Sequence, residues 1–400
     1  MQEWKTYRIG DICKRVCSGG TPKSTEPSYY DGEIPWLNTK EINFNRISST
    51  EKHITQSGLD NSSAKWIDKN SVIVAMYGAT AAKVAINTIP LTTNQACCNL
   101  SIDETKADYR FVYYWLCSHY TELASLANGG AQQNLNAQQI KDFEIKLPEI
   151  QIQQKIADLL WSIDNKIICN KSINDNLEQQ AQALYKSWFI DFEPFKDGEF
   201  EESELGLIPK GWSTGNIYKY VNVIYGAPYK STLFNENKEG YPLIRIRDLK
   251  TFSPQFYTTE VLPQTEYIKS GDVVAGMDAE FIPCLWQGET GVLNQRCCKF
   301  VGKDKEINNL FVLHLVKPEL EYVQSYKTGT TVSHLGKADI DRFIVILPDE
   351  AIVHQFSKIC RPLLDEQNKC AAEIRRLTNL RDALLPKLMS GELKINNLDC

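Results

Sequence analysis

The chain has 400 residues, of which 42% are hydrophobic and 16 are proline, so it contains apolar material for two or three packed domains. This composition excludes a fibrous or disordered protein. The longest apolar stretch, residues 72–82, is too short for a membrane-spanning helix, and the amino terminus lacks a secretory signal. We therefore expect a cytoplasmic protein without a membrane span, whose 12 cysteines are mostly thiols.

The net charge of −6 is concentrated in one segment of the chain. Residues 191–205 carry seven acidic side chains and one lysine, so the remainder of the chain is neutral. A strongly basic balance would have indicated a nucleic-acid partner directly, and it is absent. Three interpretations stay open: a partner that is not a polyanion, basic side chains gathered on one face, or positive charge supplied by another subunit.

The sequence repeats itself with a period near 200 residues. Residues 129–156 align without gaps with residues 329–356 and share seven identical positions. Further matches are residues 94–98 with 294–298, and residues 35–42 with 242–249. Short β-branched runs in both halves predict strands. We interpret the chain as a duplicated, strand-rich unit.

Each repeat ends in a long segment without glycine, in which apolar residues recur alternately four and three positions apart. This period of 3.5 residues predicts helices that bury a narrow seam against another helix. A helix over residues 149–190 would be roughly 60 Å long. The predicted seam consists of Ile156, Leu160, Ile163, Ile167, Asn170, Asn174, Leu177, Ala181, Leu184 and Trp188, and in the second repeat of Phe356, Cys360, Leu363, Gln367, Cys370, Ile374, Leu377, Arg381, Leu384 and Leu388.

The predicted fold class is α+β, with two β-rich domains joined by two long antiparallel coiled-coil-like helices and related by a pseudo-twofold axis. The predicted segments are a first domain at 1–148, a long helix at 149–192, an acidic surface linker at 193–211, a second domain at 212–347, a second long helix at 348–391 and a tail at 392–400.

Sequence motifs of common catalytic sites are missing. The chain contains no phosphate-cradling glycine motif, no hydrolase or zinc-protease motif, and its five histidines are scattered. The vicinal cysteines at 97–98 and 297–298 lack zinc-finger spacing, and neighbouring strand residues face opposite ways. We interpret them as buried structural thiols, and we predict a non-catalytic chain that binds no metal or other cofactor.

Several motifs, taken together and in order, resemble the specificity subunit of Type I restriction-modification systems. They are SGGTPKS at 18–24, IPW at 34–36, NQ at 94–95, LP at 147–148, WFIDFEPF at 188–195, LGLIPKGW at 205–212 and LLPKLMSGEL at 384–393. The resemblance covers nearly the entire chain. It departs from the family at residues 227–231, where the second unit lacks the Gly-Gly-Thr start.

This resemblance implies that each domain is a target recognition domain that reads one half of a bipartite target in double-stranded DNA. The helices would set the spacing and dock two modification (methyltransferase) subunits, and restriction (translocase and nuclease) subunits would join them. The modification subunits would supply phosphate contacts that a neutral chain lacks, while this chain reads bases.

Strand alternation places Asn38 and Lys40 on one face and Arg245 and Arg247 at the matching positions of the second unit. Asparagine pairs with adenine and arginine with guanine through two hydrogen bonds each, so these residues are the leading candidates for base readout. An ordinary solvated strand face is the alternative. Further candidate contacts are Lys23, Ser24, Lys230 and Ser231 in loops, and Gln133, Asn134, Ser333 and His334 after the glycine loop. The recurring residues 94–95 and 294–295 are assigned a structural or backbone-contact role.

Two other functions stay open. The first is a self-contained DNA methyltransferase with a divergent active site, which would transfer labelled methyl groups to DNA without added subunits. The second is a coiled-coil scaffold that never contacts DNA, which would hold methyltransferase subunits without any dependence on DNA sequence.

Overall fold

The computed structural model describes residues 4–127, 134–327 and 334–395, which form two units. Unit 1 contains the chain up to Asn165 and again from Thr378, and unit 2 contains Lys166 to Leu377. The helices of the described residues are α1 Gln56–Asp60, α2 Tyr109–Ser118, α3 Tyr120–Ser125, α4 Ala137–Asp142, α5 Ile150–Phe189, α6 Asn309–Lys327, α7 Lys337–Ile340 and α8 Glu350–Met389. None of these helices combines the length and apolar content needed to span a bilayer.

Two sheets and a strand pair form the β-structure of unit 1. Its strands are β1 Lys5–Arg8, β2 Cys13–Ser18, β3 Tyr30–Leu37, β4 Asn45–Ile47, β5 Lys52–Ile54, β6 Trp66–Ile67, β7 Val72–Ala75, β8 Val84–Asn87, β9 Leu91–Thr93, β10 Cys97–Ile102 and β11 Glu144–Leu147. The sheets have the strand orders β2-β10-β7-β8-β4 and β5-β3-β9-β6, and β1 pairs with β11. Helix α2 packs its buried aromatic face on the first of these sheets, in a core that also includes Leu160 of α5.

Unit 2 has the same plan. Its strands are β12 Phe200–Ser203, β13 Gly206–Pro209, β14 Ser213–Gly215, β15 Val221–Tyr225, β16 Phe234–Asn235, β17 Tyr241–Ile244, β18 Tyr257–Thr258, β19 Tyr267–Ile268, β20 Val273–Gly276, β21 Cys284–Leu285, β22 Gly291–Leu293, β23 Cys297–Gly302 and β24 Val345–Leu347. The sheet orders β15-β23-β20-β21 and β16-β18-β17-β22-β19 contain the unit 1 orders β2-β10-β7-β8 and β5-β3-β9-β6. Among the described strands, β4 has no counterpart in unit 2, and β16 is an additional edge strand there. Strand β14 pairs with β24 as β1 does with β11. The predicted α+β fold with two repeated β-rich parts is therefore confirmed.

The vicinal cysteines begin the central strands β10 and β23, and in each pair the two side chains point to opposite faces. Cys97 and Cys297 lie in the core between the two sheets of their unit, whereas Cys98 and Cys298 lie in the core formed with the helices. All four side chains are buried, and burial raises the pKa of the Cys98 thiol to about 12. The two thiols of each pair lie in separate cores, which fits the packing role expected for them.

The long helices bury the seam that the heptad pattern predicts. None of the twenty predicted seam positions is exposed. Within unit 2, the Asn170 amide donates to Glu373 Oε2 at 2.8 Å, while Glu178 lies further along α5 and contacts Gln367, which lies earlier on α8. Because the residue number increases along α5 while that of its contact on α8 decreases, the two helices run antiparallel. The predicted antiparallel pairing is therefore confirmed within unit 2.

The acidic segment lies at the surface with all seven of its acidic side chains exposed, and it also contains regular secondary structure. Strands β12 and β13 form a regular antiparallel hairpin, with Phe200 opposite Pro209. The chain before the hairpin carries Phe195, whose ring lies 5.0 Å from that of Trp212 and 6.1 Å from that of Trp188. Aromatic contacts of this kind bury apolar surface, and they hold the segment against the core of unit 2 while its acidic side chains stay in water.

Candidate DNA interface

A tight turn before β10 and its counterpart before β23 organise the loops of each unit. In unit 1 the Asn94 side-chain oxygen accepts from the Ala96 N–H at 3.2 Å, and in unit 2 the Asn294 oxygen accepts from the Arg296 N–H at the same distance. Both asparagines are nearly fully buried. A side chain that holds its own turn is not available to a ligand, which supports the structural role expected for these recurring residues.

Backbone hydrogen bonds join the neighbouring loops to this turn in the same way in both units. In unit 1 they run from Gly20 N to Thr93 O, from Asn94 N to Leu37 O, from Met76 N to Ala96 O and from Leu135 N to Met76 O. In unit 2 they run from Ala227 N to Leu293 O, from Asn294 N to Ile244 O, from Met277 N to Arg296 O and from Leu335 N to Met277 O. We call the resulting surfaces rim 1 (residues 20–24, 38–41, 76–77, 94–96 and 134) and rim 2 (residues 227–231, 245–248, 277–278, 294–296 and 334).

The glycines of the SGGTPKS motif are required by close backbone approach. A Cβ atom on Gly19 would lie 2.0 Å from the Thr93 carbonyl oxygen, and one on Gly20 would lie 2.3 Å from the Ala64 nitrogen. The Trp36 indole N–H donates to the Gly20 carbonyl at 2.9 Å. The motif therefore fixes a loop on the sheet and leaves Lys23 and Ser24 exposed at its tip.

The second unit keeps the first of the two glycines and has Ala227 in place of the second. Gly226 takes the place of Gly19, since its Cβ would lie 2.1 Å from the Asn294 carbonyl oxygen. The Tyr229 hydroxyl donates to Thr265 Oγ1 at 3.0 Å, and the Lys230 N–H donates to Glu260 at 2.8 Å. Lys230 and Ser231 are thus exposed on rim 2 as their counterparts are on rim 1, despite the altered motif.

The predicted strand face of Asn38, Lys40, Arg245 and Arg247 is wrong. Strands β3 and β17 end at Leu37 and Ile244, and the next residues form 3₁₀ turns over Thr39–Glu41 and Ile246–Leu249. A carboxylate three residues after the residue that precedes each turn accepts from that residue's backbone N–H: Glu41 from Asn38 at 3.0 Å, and Asp248 from Arg245 at 3.0 Å. This capping arrangement stops the strand, so the alternation argument does not apply beyond Leu37.

The four side chains have different environments on the rims. The Asn38 side-chain oxygen accepts from the Lys40 N–H at 3.2 Å, and Lys40 pairs with Glu51 at 2.7 Å, which raises the pKa of the Lys40 ammonium group. Arg245 lies 4.3 Å above the Phe256 ring and 3.5 Å from Asp248, and its Nη2 atom is buried. Arg247 is exposed. Only Lys40 and Arg247 therefore reach outward from these turns, while Asn38 and Arg245 also hold the turns in place.

The segments after the glycine loops reach the rims at Asn134 and His334. Asn134 forms a β-bridge with Tyr77, and His334 forms one with Asp278. The His334 ring nitrogen Nδ1 lies 2.6 Å from Asp278 Oδ1. The other two predicted residues of these segments, Gln133 and Ser333, lie outside the described residues.

Two rim residues were missed by the sequence reasoning. Arg296 is 57% exposed and pairs through Nη1 with Asp278 Oδ2 at 3.0 Å, and the Tyr77 ring is exposed on rim 1. Arg296 stands where unit 1 has Ala96. A comparison of the two repeats at the positions next to the shared asparagines would have found it, because two readers of different sequences must differ at such positions.

Comparison with known proteins places these features in a family. Residues 1–179 and 209–377 match the family described as Type I restriction modification DNA specificity domain. The chain is 28% identical over 429 residues to the Type I restriction enzyme MjaIX specificity subunit of Methanocaldococcus jannaschii, covering 99% of this chain and 95% of that one. It is 22% identical over 471 residues to the Type I restriction enzyme HindI specificity subunit of Haemophilus influenzae, covering 98% and 100%.

A solved structure has the same fold. The S subunit of a Type I restriction-modification system from M. genitalium superposes with a TM-score of 0.58 at 16% identity, covering 96% of each chain. The family match includes both repeats and most of the chain. The chain therefore belongs to the Type I restriction-modification DNA specificity family.

Proposed function

We propose that this chain, as the DNA sequence-specificity subunit of a Type I restriction-modification system, reads one half of a bipartite target with each unit. Rim 1 and rim 2 are the proposed base-reading surfaces, and α5 and α8 set the distance between the half-sites and dock two modification subunits. Restriction subunits complete the proposed complex, which works on double-stranded DNA in the cytoplasm.

The observation that carries this proposal is a shared scaffold with different exposed side chains. The turn-holding asparagines, the capping carboxylates and the four backbone bonds recur in both units. The outward residues differ: Lys40 and Asn134 on rim 1 correspond to Arg247 and His334 on rim 2, and Ala96 corresponds to Arg296. Two surfaces that are positioned alike but differ chemically fit the reading of two unlike half-sites.

The neutral balance of the chain outside the acidic segment fits a division of labour. Phosphate contacts supply most of the salt-dependent affinity of a DNA-binding protein and need many lysines and arginines. The modification subunits would provide these contacts and the methyl transfer, and this chain would have no catalytic activity of its own. Methyl incorporation into DNA by the purified chain alone, with labelled methyl donor, would contradict this part of the proposal.

Exchange of one unit tests whether each unit recognises its own half-site. Residues 1–148 are replaced by the corresponding segment of another specificity subunit, the hybrid is expressed with its modification subunits, and methylated bases are mapped across the host genome. We expect one half of the methylated motif to change and the other half to remain. A change in both halves, or in neither, would refute the assignment of one half-site to each unit.

A single-residue test addresses rim 2. Loss of a two-bond contact to guanine costs about 1–3 kcal/mol of discrimination, so Arg296→Ala should relax one position of one half-site. Arg376→Ala is the matched control, because Arg376 is an exposed arginine of unit 2 on α8. An unchanged motif in Arg296→Ala, or an equal change in the control, would remove Arg296 from the reading surface.

A further inference from the structure

A histidine and two carboxylates from separate parts of unit 2 converge beside the start of α8. Asp304 lies in the loop between β23 and α6, and Glu350 and His354 lie on successive turns of α8. One ligand-type atom from each lies within 4.8 Å of the other two. Across residues 4–127, 134–327 and 334–395, no other group of three or more histidine, cysteine or acidic side chains is this close.

The spacing of these atoms suits a small divalent cation. His354 Nε2 lies 3.1 Å from Asp304 Oδ2 and 4.0 Å from Glu350 Oε1. A tetrahedral zinc ion with ligands at 2.0–2.1 Å separates neighbouring ligand atoms by roughly 3.3 Å. The Asp304–His354 distance is already close to this value. The Glu350 side chain is 69% exposed, so rotation about its own bonds can bring the third ligand closer.

Glu306 lies on the other side of the imidazole. His354 Nδ1 is 3.2 Å from Glu306 Oε2, while Nε2 forms the hydrogen bond to Asp304 Oδ2 at 3.1 Å. With a metal bound, Nε2 would direct its lone pair at the ion, and Nδ1–H would face Glu306. Histidines that bind metals commonly donate their second N–H to a carboxylate, which fixes the tautomer. The competing arrangement is a protonated His354 that forms ion pairs with the carboxylates and binds no metal.

The repeat supplies an internal control for the folding role of this cluster. The corresponding positions of unit 1 hold Glu104, Lys106, Ile150 and Gln154. At the same junction, unit 1 uses an ion pair between Arg110 on α2 and Asp158 on α5 at 2.6 Å. Since the repeated fold forms there without an imidazole or a second acid, the convergence in unit 2 is not required by the fold.

We propose that unit 2 binds one divalent transition-metal ion through Asp304, Glu350 and His354, with Zn²⁺ as the ion that fits best. One imidazole and two carboxylates are a ligand set that zinc accepts, with water in the fourth position. The ion fastens the β23–α6 loop to the first turns of α8. Asn308, which donates through Nδ2 to the Ser357 carbonyl at 3.4 Å, already joins the same loop to the same helix. This proposal replaces the expectation of a chain that binds no metal.

The test is a zinc titration of the full chain. The protein is treated with a chelator, dialysed, and titrated with ZnCl₂ by calorimetry near pH 7, and its melting temperature is recorded with and without Zn²⁺. We expect one tight site per chain and a higher melting temperature with zinc. His354→Gln introduces the residue of the sister unit and should lose both effects, while Asp304→Asn should weaken binding at least tenfold.

His334→Gln is the matched control, since His334 is an exposed histidine of unit 2 that contacts a single carboxylate. It should titrate like the unmodified chain. Zinc bound by thiols would persist in His354→Gln and is thereby separated from the proposed site. Absence of tight binding in the unmodified chain, or identical binding in His354→Gln, would overturn the proposal in favour of an ion-pair cluster.

Discussion

Asn174 lies in the helix seam of unit 2 with neither its amide nitrogen nor its carbonyl oxygen bonded to any described residue. The side chain is buried. An unsatisfied buried amide costs roughly 1–3 kcal/mol, and the other seam positions are largely apolar. We expect Asn174→Leu to raise the free energy of unfolding by about 1–3 kcal/mol, as measured by chemical denaturation.

The control for this substitution is Asn176→Leu, which changes an exposed asparagine two residues away on the same helix. It should change the stability by less than about 0.5 kcal/mol. A polar residue at such a position can fix the register of a helix pair at a cost in stability. A loss of stability in Asn174→Leu would contradict the view that this amide is a net cost to the folded chain.

His314 on α6 is buried and neutral. Burial, followed by the nearby charge of Lys317, lowers the pKa of its imidazole from 6.5 to about 4. The unfolded chain takes up a proton below pH 6.5 while the folded chain does not, so His314 reduces stability as the pH falls from 6.5 to 4. The loss is about 1.4 kcal/mol per pH unit.

Replacement by phenylalanine removes this dependence. When the pH falls from 7.5 to 5, the free energy of unfolding of His314→Phe should rise by about 2 kcal/mol relative to that of the unmodified chain. Urea denaturation at both pH values measures this difference. Tyr185, whose ring lies 5.4 Å from that of His314, gives the control. Burial raises the pKa of its hydroxyl, so Tyr185→Phe should shift stability equally at both pH values. If the stability of His314→Phe depends on pH in the same way as that of the unmodified chain, the buried ring takes up its proton at low pH in the folded state as well.

Two strand ends show why periodicity alone misplaces residues. Asn38 and Arg245 follow strands and alternate correctly with their neighbours, so the pattern alone extends the strands through them. The deciding groups are Glu41 and Asp248, whose carboxylates accept from the backbone N–H groups of Asn38 and Arg245, three residues earlier in the chain. Acidic residues at this spacing are a known capping signal, but strand ends shift by a few residues when only periodicity is used.

The two units hold their long helices against their domains with different side chains. In unit 1, Asp164 on α5 accepts from Arg381 on α8 at 3.0 Å and from the Tyr114 hydroxyl on α2 at 2.5 Å. The corresponding positions of unit 2 hold Leu364, Ala181 and His314. A polar network that ties two helices to the domain is thus replaced by a mostly apolar contact.

A double-mutant cycle measures the polar network. Asp164→Leu removes the carboxylate shared by Arg381, Arg46 and Tyr114, although Arg381 keeps its pair with Asp382. Arg381→Ala leaves Asp164 with the Tyr114 hydroxyl and with Arg46 at 3.9 Å. Because Asp164 is mostly buried and Arg381 is half-buried, each single variant should lower the free energy of unfolding by about 2–4 kcal/mol. The double variant introduces the residues of unit 2. Its loss in free energy of unfolding should be smaller than the sum of the two single losses by about 1–3 kcal/mol.

The reference cycle uses Lys337 and Asp341, an exposed pair at 2.7 Å in unit 2. Exposed ion pairs contribute about 0–1 kcal/mol, so this cycle should show little coupling by thermal or chemical denaturation. Additive effects of Asp164→Leu and Arg381→Ala would show that the network does not act as one unit.

Elements were predictable from sequence to different degrees. The 3.5-residue period predicted both long helices and their seam, because one buried face determines which residues are apolar. The hairpin β12–β13 was missed, because its many acids, prolines and glycines are typical of a loop. Its position depends on aromatic contacts of Phe195 and Trp212, and contacts between residues distant in sequence leave no local pattern.

For the whole molecule, duplication was the most informative signal, since it predicted two units with one plan before any site was assigned. The proposed function adds that α5 and α8 set the gap between half-sites. An α-helix rises 1.5 Å per residue, so seven added residues lengthen it by about 10.5 Å. This length corresponds to roughly three base pairs at 3.4 Å per pair.

Both helices must be lengthened together to preserve their seam. Asn170 contacts Glu373, and Glu178 contacts Gln367. A heptad inserted after Asn174 and another after Lys369 therefore lie opposite each other and keep these pairs in register. We expect the assembled complex to methylate a motif whose two halves are unchanged and whose gap is about three base pairs longer, as read by mapping of methylated bases. A heptad in α5 alone misaligns the seam and should abolish methylation. An unchanged gap with the matched insertions would mean that the helices do not set the spacing.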